Sequence, residues 1–173
     1  MPSCAVDTPM REATFDRQLD VAFAPVFETN PYQHLLQDEL EALGVRFVDA
    51  VRYTDPFRLP VFAGPGNQQR LDILHLHWVD HLVLSPSWGG SIVRLAAFAT
   101  QLERLRRRGT AVVWTAHNLH HHESLHPLLD AAAHHYVSRV CDAAIAHSDA
   151  AREELVESPY FDDAGKLHVV PHG

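Results

Sequence analysis

The sequence predicts an α/β protein built on a doubly wound parallel sheet of about six strands. Apolar runs of strand length alternate along the chain with segments whose apolar residues recur at helical spacing, and short connections join them. The strand-length runs are apolar at successive positions, as expected where a parallel sheet is covered on both faces. With 173 residues, of which 46% are hydrophobic, the chain is long enough to bury one core.

The strands separate segments of different character. Residues 1–20 are rich in charged side chains and are expected to form a flexible N-terminus, so the domain would cover 21–173. Residues 55–70 contain several prolines and glycines and are predicted to be a loop. The predicted strands are 21–27, 45–51, 72–78, 110–115, 142–146 and 166–170.

Sequence signals mark both the start and the end of the first predicted helix. Asn30 is the expected N-cap, Pro31 the first helical residue and Gly44 the residue just after the C-cap. The apolar side chains that share one helical face, and are expected to be buried, are Tyr32, Leu35, Leu36, Leu40 and Leu43.

Further helices follow the third, fourth and fifth strands. A long helix is predicted to open at Gly89-Gly90, a second to cover 127–140 and a third to begin after Ser148 as N-cap. Arginines crowd the end of the long helix, where cations favour the helix dipole; contact with anionic lipid is the alternative. These arginines are Arg104, Arg106, Arg107 and Arg108. The expected apolar stripe of the long helix is Ile92, Leu95, Ala96, Ala99, Leu102 and Leu105.

Composition excludes several classes of protein. The net charge of −8 argues against nucleic acid as a partner, because such binding depends on clustered Lys and Arg, and it gives no support for membrane docking. The two cysteines, Cys4 and Cys141, provide no disulfide framework. No apolar run has the length of a membrane span or the pattern of a signal peptide, so a cytoplasmic protein is expected.

Polar and ring-bearing side chains follow four of the predicted strands. In a doubly wound sheet, ligands bind outside the carboxyl ends of the strands. We therefore expect one ligand crevice at that edge. The residues at the strand ends are Glu28, Thr29, Asn30, His75, His77, Trp78, His117, Asn118, His147 and Ser148.

Several kinds of chemistry lack their motif. The turn after the first strand has no Gly-x-Gly-x-x-Gly, so a dinucleotide site is not expected. No Gly-x-Ser-x-Gly elbow supports hydrolysis by a triad. The run from His120 to Glu123 contains competent zinc ligands, but consecutive residues rarely point at one ion, so no metal site is expected.

The order of segments resembles the N-terminal domain of GT-B glycosyltransferases, specifically glycosyltransferase family 4. The motifs are Asn-Pro-Tyr-x-x-Leu-Leu at 30–36, Asp-Ile-Leu-His-Leu-His-Trp at 72–78, Val-Val-Trp-Thr-Ala-His-Asn-Leu-His-His-His-Glu at 112–123, Cys-Asp-Ala-Ala-Ile-Ala-His-Ser at 141–148 and Lys-Leu-His-Val-Val-Pro-His-Gly at 166–173. Together they span nearly the whole chain beyond residue 20.

This resemblance implies one half of a two-domain, retaining, metal-independent enzyme with a nucleoside-diphosphate sugar as co-substrate and no other cofactor. The N-terminal half, a Rossmann-like domain, would bind the sugar acceptor, which is a small molecule or lipid-linked. A C-terminal domain, absent from these residues, would hold the donor. The closing Pro171-His172-Gly173 turn fits a chain that continues. Many family members have a Gly-rich loop after the first strand, whereas this chain has Phe27 to Pro31, which favours an acceptor role there.

The resemblance also implies roles for single residues. His117 corresponds to the family histidine that approaches the transferred sugar. A neutral imidazole there can orient a sugar hydroxyl without adding positive charge; a histidine that ties down a loop is the alternative. Asn118 would bond the loop backbone, and Glu123 is either an acceptor contact or a helix-start carboxylate. His147 and Ser148 would shape the crevice edge.

The sequence thus favours the acceptor-binding part of a glycosyltransferase, inactive by itself. Glu28, Asn30 and Trp78 are expected to contact the acceptor, with His75 and His77 in contact with it or directly behind the contacting residues. Two alternatives stay open. The chain could be a complete, non-catalytic module that binds a carbohydrate or small metabolite, or a metal-dependent hydrolase on the same sheet.

Overall fold

The computed structural model describes residues 17–49, 51–54, 59–62, 71–117, 125–161 and 163–171. Within these residues the chain forms eight strands and five α-helices, together with one 3₁₀ turn at Ala164–Lys166. The elements are β1 (Asp20–Ala24), α1 (Pro31–Ala42), β2 (Arg46–Phe47), β3 (Val51–Thr54), β4 (Leu59–Phe62), β5 (Ile73–Leu76), α2 (Val79–Val83), α3 (Trp88–Arg107), β6 (Ala111–Thr115), α4 (Pro127–Val140), β7 (Ala143–Ala146), α5 (Asp149–Glu157) and β8 (Leu167–Val169).

Six strands form one sheet in the order β2-β1-β5-β6-β7-β8, and all pairs within it are parallel. Helices flank this sheet, so the predicted α/β class and the Rossmann-like, six-stranded parallel sheet are confirmed. The chain passes from β1 to β2 on one side and returns to β5 on the other. Strand order therefore reverses between β1 and β5, the point where such sheets place their ligands.

The core lies on the central strands. Leu74 and Leu76 of β5 and Val112 of β6 are fully buried, and Phe98 of α3 and Val137 of α4 belong to the same apolar cluster. Burial of such side chains contributes about 1.5–3 kcal/mol each. The central strands are thereby fixed, and with them the residues at their carboxyl ends. In the described part of the chain, no helix has the length and apolar composition needed to cross a bilayer.

The helix ends follow their sequence signals. The Asn30 side chain accepts a hydrogen bond from the Tyr32 N–H at 2.9 Å, and α1 begins at Pro31. Gly44 follows the C-cap with a φ of 88°, a conformation that favours glycine. The Ser148 hydroxyl accepts from the Ala151 N–H at 3.1 Å and caps α5. These three predictions are confirmed.

The prediction was wrong where elements are short. Residues 59–62, placed in the predicted loop 55–70, form β4, which pairs antiparallel with β3. The predicted strand 45–51 is divided, because only 46–47 join the parallel sheet and β3 begins at Val51. The first strand covers 20–24 rather than 21–27, and α3 starts at Trp88, with Ser87 as its N-cap, one residue before the predicted glycines.

The predicted apolar faces of α1 and α3 are only partly buried. Leu35 and Leu43 of α1 are each 65% exposed, whereas Gln33 is buried. In α3, Leu102 and Leu105 of the predicted stripe are buried in the core as expected, but Ile92 is exposed, and Phe98, outside the stripe, is fully buried. Helical periodicity was read correctly in both cases, but the buried side of a helix is set by the elements that pack against it.

An ion-pair network joins the start of the described chain to the sheet. Arg17 donates two hydrogen bonds to the Asp72 carboxylate, at 2.7 and 2.6 Å, and the Asp20 N–H donates to the same carboxylate at 3.0 Å. Arg46 makes a similar two-bond pair with Asp20 at 2.6 Å. Arg17 and Asp20 thus belong to the folded structure, although they lie within the N-terminal segment expected to be flexible; residues 1–16 lie outside the described part.

Replacing the Asp72 side chain should destabilise the fold. In Asp72→Ala the buried Asp20 N–H loses its acceptor, which costs about 1–3 kcal/mol. Urea denaturation should show this loss, whereas Asp38→Ala, which removes an exposed carboxylate from α1, should change stability by less than about 0.5 kcal/mol. Equal midpoints for the two variants would contradict the structural role of Asp72.

Candidate functional site

Aromatic and imidazole rings meet at the carboxyl ends of β1, β5, β6 and β7, where the sequence predicted a crevice. The rings come from the first turn of α1 and from the ends of three strands, and each contacts at least one other. The members of this ring cluster are Tyr32, His75, His77, Trp78, His117 and His147.

His75 and His77 form the buried floor of the ring cluster. Alternation along β5 places both on the same face, as predicted, and their rings stack with centroids 4.3 Å apart. His75 Nε2 is hydrogen-bonded to the Thr115 hydroxyl at 2.8 Å. Phe23 of β1 contacts the edge of both rings, at 5.4 and 4.9 Å. The imidazoles are therefore fixed by packing before any ligand arrives.

His117 lies above this floor and is half-buried. A hydrogen bond of 3.2 Å joins its Nε2 to Nδ1 of His77. Its ring lies parallel to the Trp78 indole, with centroids 4.3 Å apart and an angle of 9°. Tyr32 and His147 contact it at 5.1 and 5.2 Å. These contacts fix the orientation of His117.

Burial keeps the floor uncharged. Together with a smaller effect of the neighbouring imidazoles, it lowers the pKa of His75 to about 3 and that of His77 to about 2. At neutral pH both rings are neutral, so the His77–His117 bond has a donor on one ring and an acceptor on the other. The floor therefore offers neutral hydrogen-bonding groups rather than fixed cations.

One nitrogen of the floor is available to a ligand. Among the described residues, His77 Nε2 has no hydrogen-bond partner, although the side chain is only 1% exposed. Native structures rarely leave a buried polar atom unsatisfied. A ligand group that enters the ring cluster and bonds this nitrogen would remove the cost of leaving it unpaired.

Other predicted residues have structural contacts or lie outside the description. The Asn30 side chain caps α1, Glu28 is exposed and gives its carbonyl to His34 at 2.6 Å, and Ser148 caps α5. A hydrogen bond of 2.9 Å joins His147 Nδ1 to the Val170 carbonyl oxygen. Asn118 and Glu123 lie outside the described residues, as does the run considered for zinc. Within the described ranges, no group of three or more potential ligands is placed to hold a metal ion.

Two contributors from α1 were missed by the sequence analysis. Tyr32 was assigned to an apolar helix face, but its ring contacts His77, His117 and His147, and its hydroxyl is hydrogen-bonded to Thr115. Gln33 closes the turn after β1, because its amide accepts from the Phe27 N–H and donates to the Pro25 carbonyl, both at 2.8 Å. The position of Tyr32 directly after the Asn-Pro helix start was the available signal.

No known family model matches the chain. Over 125 residues the chain is 34% identical to a GDP-mannose:glycolipid 4-beta-D-mannosyltransferase of Xanthomonas campestris pv. campestris, an alignment that covers 70% of this chain and 32% of the relative. The same enzyme from a named strain of that pathovar, ATCC 33913, matches equally. The chain thus spans about a third of the length of the curated relatives it matches. Most of this chain is therefore similar to part of a glycosyltransferase.

Proposed function

We propose that this chain is the acceptor-binding part of a glycosyltransferase that takes its sugar from a nucleoside-diphosphate sugar. The observation that carries the proposal is the ring cluster around His117, at the carboxyl edge beside the strand-order reversal. The similarity to a mannosyltransferase that uses GDP-mannose and a glycolipid supports the same class of donor and an acceptor that is a sugar or lipid-linked. A second domain beyond these residues would hold the donor.

The chemistry of glycosyl transfer suits neutral imidazoles. As the leaving group departs, positive charge develops on the transferred sugar, and a cationic side chain beside it would raise the barrier. A neutral His117, held by Trp78 and His77, would hydrogen-bond a sugar hydroxyl without that penalty. Fixing such a geometry lowers the barrier through orientation.

The stereochemical outcome is part of the proposal's test. The resemblance implies retention of configuration, whereas the name of the relative specifies a β-mannosyl product. The one-bond coupling between C1 and H1 of the transferred sugar, measured by NMR on the product, distinguishes the two outcomes. A β product from an α-linked donor would contradict retention and leave the transferase proposal intact.

The proposal predicts that residues 1–173 bind nucleotide sugar only negligibly. The described residues that line the ring cluster include no Lys or Arg that could bind a diphosphate. Titration calorimetry with GDP-mannose should give no measurable heat for this chain, and a protein extended by the codons after Gly173 should bind and transfer. Micromolar binding by residues 1–173, or a stop codon directly after Gly173, would contradict the proposal.

A further inference from the structure

The hydrogen bond between His77 and His117 couples the hydrogen positions of the two rings. It joins Nδ1 of His77 to Nε2 of His117 at 3.2 Å, and burial keeps His77 neutral. A neutral imidazole carries one hydrogen, on either nitrogen. If His77 carries it on Nδ1, Nε2 of His117 must accept, so His117 is neutral with its hydrogen on Nδ1. If His77 carries it on Nε2, Nε2 of His117 must donate instead. The hydrogen of His77 therefore decides which nitrogen of His117 is protonated.

The surroundings of His77 Nε2 are closed to solvent and largely aromatic. His77 is 1% exposed, and among the residues that the structure describes its Nε2 has no hydrogen-bond partner. The Phe23 ring lies perpendicular to the imidazole, with centroids 4.9 Å apart, and has no nitrogen or oxygen acceptor. The ring of His75 is stacked on its face, and Nε2 of His75 is bonded to Thr115. A hydrogen on His77 Nε2 would thus be buried without an acceptor from these neighbours.

The two tautomers of His77 differ in the polar group that they leave unpaired. A hydrogen on Nε2 leaves a buried N–H group without an acceptor, whereas a hydrogen on Nδ1 leaves only a lone pair without a donor. Buried N–H groups without an acceptor are rarer in native structures than buried acceptors without a donor. A hydrogen on Nδ1 also has a partner, because it points at Nε2 of His117. Hydrogen-bond satisfaction therefore favours the hydrogen on Nδ1 of His77.

We propose that His77 is a positioning residue, which carries its hydrogen on Nδ1 and thereby holds His117 neutral with a hydrogen on Nδ1. The proposal deepens the proposed function and rests on it for its consequence. A sugar that contacts a nitrogen of the His117 ring would meet Nδ1 as a donor, because Nε2 is bonded to His77. The sugar oxygen at this contact would then accept the hydrogen bond. Sequence analysis placed His77 at or behind the acceptor contact and assigned it no effect on His117.

The ring nitrogens of the 173-residue chain report both hydrogen positions. A long-range ¹H–¹⁵N correlation spectrum separates protonated from unprotonated imidazole nitrogens, and the variants His77→Asn and His117→Gln identify the signals of each ring. At pH 7 we expect Nδ1 to be protonated and Nε2 to be unprotonated in both rings. A hydrogen on Nε2 of His77, or two protonated nitrogens in His117, would overturn the proposal.

Two substitutions of His77 separate its hydrogen bond from its volume. The amide nitrogen of asparagine occupies nearly the same place as Nδ1 of histidine, so His77→Asn can still donate to His117, whereas His77→Leu fills the space and donates nothing. In His77→Asn the hydrogen of His117 should stay on Nδ1, and in His77→Leu it should be shared between both nitrogens. His168→Leu, at an exposed histidine of β8, is the matched control and should leave the His117 signals unchanged. The same His117 signals in His77→Leu and in the parent chain would overturn the role of His77. If His77→Leu does not fold, the spectrum of the parent chain decides.

In the extended protein the same variants should change the rate of transfer more than substrate binding. We expect His77→Leu to lower kcat about tenfold, less than the loss in His117→Ala, because the His117 imidazole remains but its hydrogen position is no longer fixed. The KM values for donor and acceptor should stay within about twofold of the parent, and His77→Asn should recover most of kcat. An equal fall of kcat in His77→Leu and His77→Asn would overturn the positioning role, because the loss would then come from packing alone.

The two proposals fail in different ways. If the extended protein transfers sugar but His77 carries its hydrogen on Nε2, the positioning proposal is wrong and the transferase proposal stands. If both rings carry their hydrogen on Nδ1 and His117 responds to His77→Leu, but the extended protein transfers nothing from any nucleotide sugar tried, the positioning of His117 by His77 stands and the transferase proposal is wrong.

Discussion

Acidification from pH 7 to pH 4.5 is expected to lower the free energy of unfolding by up to about 5 kcal/mol through His75 and His77 alone. Burial lowers the pKa of these side chains to about 3 and about 2. In the unfolded chain both titrate near ~6.5. Between these values the unfolded state binds up to two more protons than the folded state, so stability falls by about 1.4 kcal/mol per pH unit for each histidine.

The sign of this pH dependence follows from the lowered pKa values of His75 and His77. Above pH ~6.5 both states hold these imidazoles neutral and the histidines contribute no pH dependence. As pH falls below that value, His75 and His77 bind protons in the unfolded chain but stay unprotonated in the folded ring cluster. Since small domains are stable by about 5–15 kcal/mol, an acid transition near pH 4 to 5 is expected.

Urea denaturation at several pH values from 7 to 4.5 measures this slope. In His75→Gln one titrating group is lost while an amide remains to bond Thr115, so about half of the expected slope should disappear. His168→Gln, which removes an exposed histidine from β8, is the control and should have the slope of the parent chain. Identical slopes in all three proteins would contradict the buried, neutral state of His75.

Replacing His117 should reduce turnover of the extended protein by on the order of 10²-fold, the scale seen when one preorganised hydrogen-bond donor is removed from an active site. The reason is positional. The Trp78 indole and His77 fix the orientation of the imidazole, which in the proposed enzyme would hydrogen-bond the sugar that is being transferred. His117→Ala removes that contact, and His117→Gln, which keeps a hydrogen-bonding group, should recover part of the rate.

The measurement compares kcat and KM for donor and acceptor. We expect the loss in kcat, with the melting temperature within a few degrees of the parent, because His117 is only half-buried. His168→Ala should leave both constants unchanged. A full rate in His117→Ala would remove His117 from the mechanism, and a loss confined to the acceptor KM would make it a binding residue.

The fold was predictable where one physical signal dominates. The apolar runs at β5 and β6 and the caps at Asn30 and Ser148 act locally, so the sequence alone identifies them. The β3–β4 pair was missed because Pro60 interrupts the pattern, and proline is tolerated at the edge of a pair. The five-residue α2 is shorter than two helical turns, so its periodicity cannot be recognised.

The candidate site was predictable to the extent that strands determine it. One of its histidines lies within a strand and three follow strands, and the carboxyl-edge rule brings them together without further information. Tyr32 comes from a helix, and a helix face is assigned only when its neighbours are known. Asn30 was predicted both to cap α1 and to contact a ligand; the structure confirms the cap, and the ligand contact stays a prediction.

The two outer strands of the parallel sheet are short, with two residues in β2 and three in β8. Pro171, which follows β8, has no N–H to offer. Another chain that approached either side would find few unpaired amides to extend the ladder, and truncated edges of this kind oppose sheet-to-sheet aggregation. With a net charge of −8 that repels like molecules, concentrated solutions of the chain should stay free of β-type assemblies.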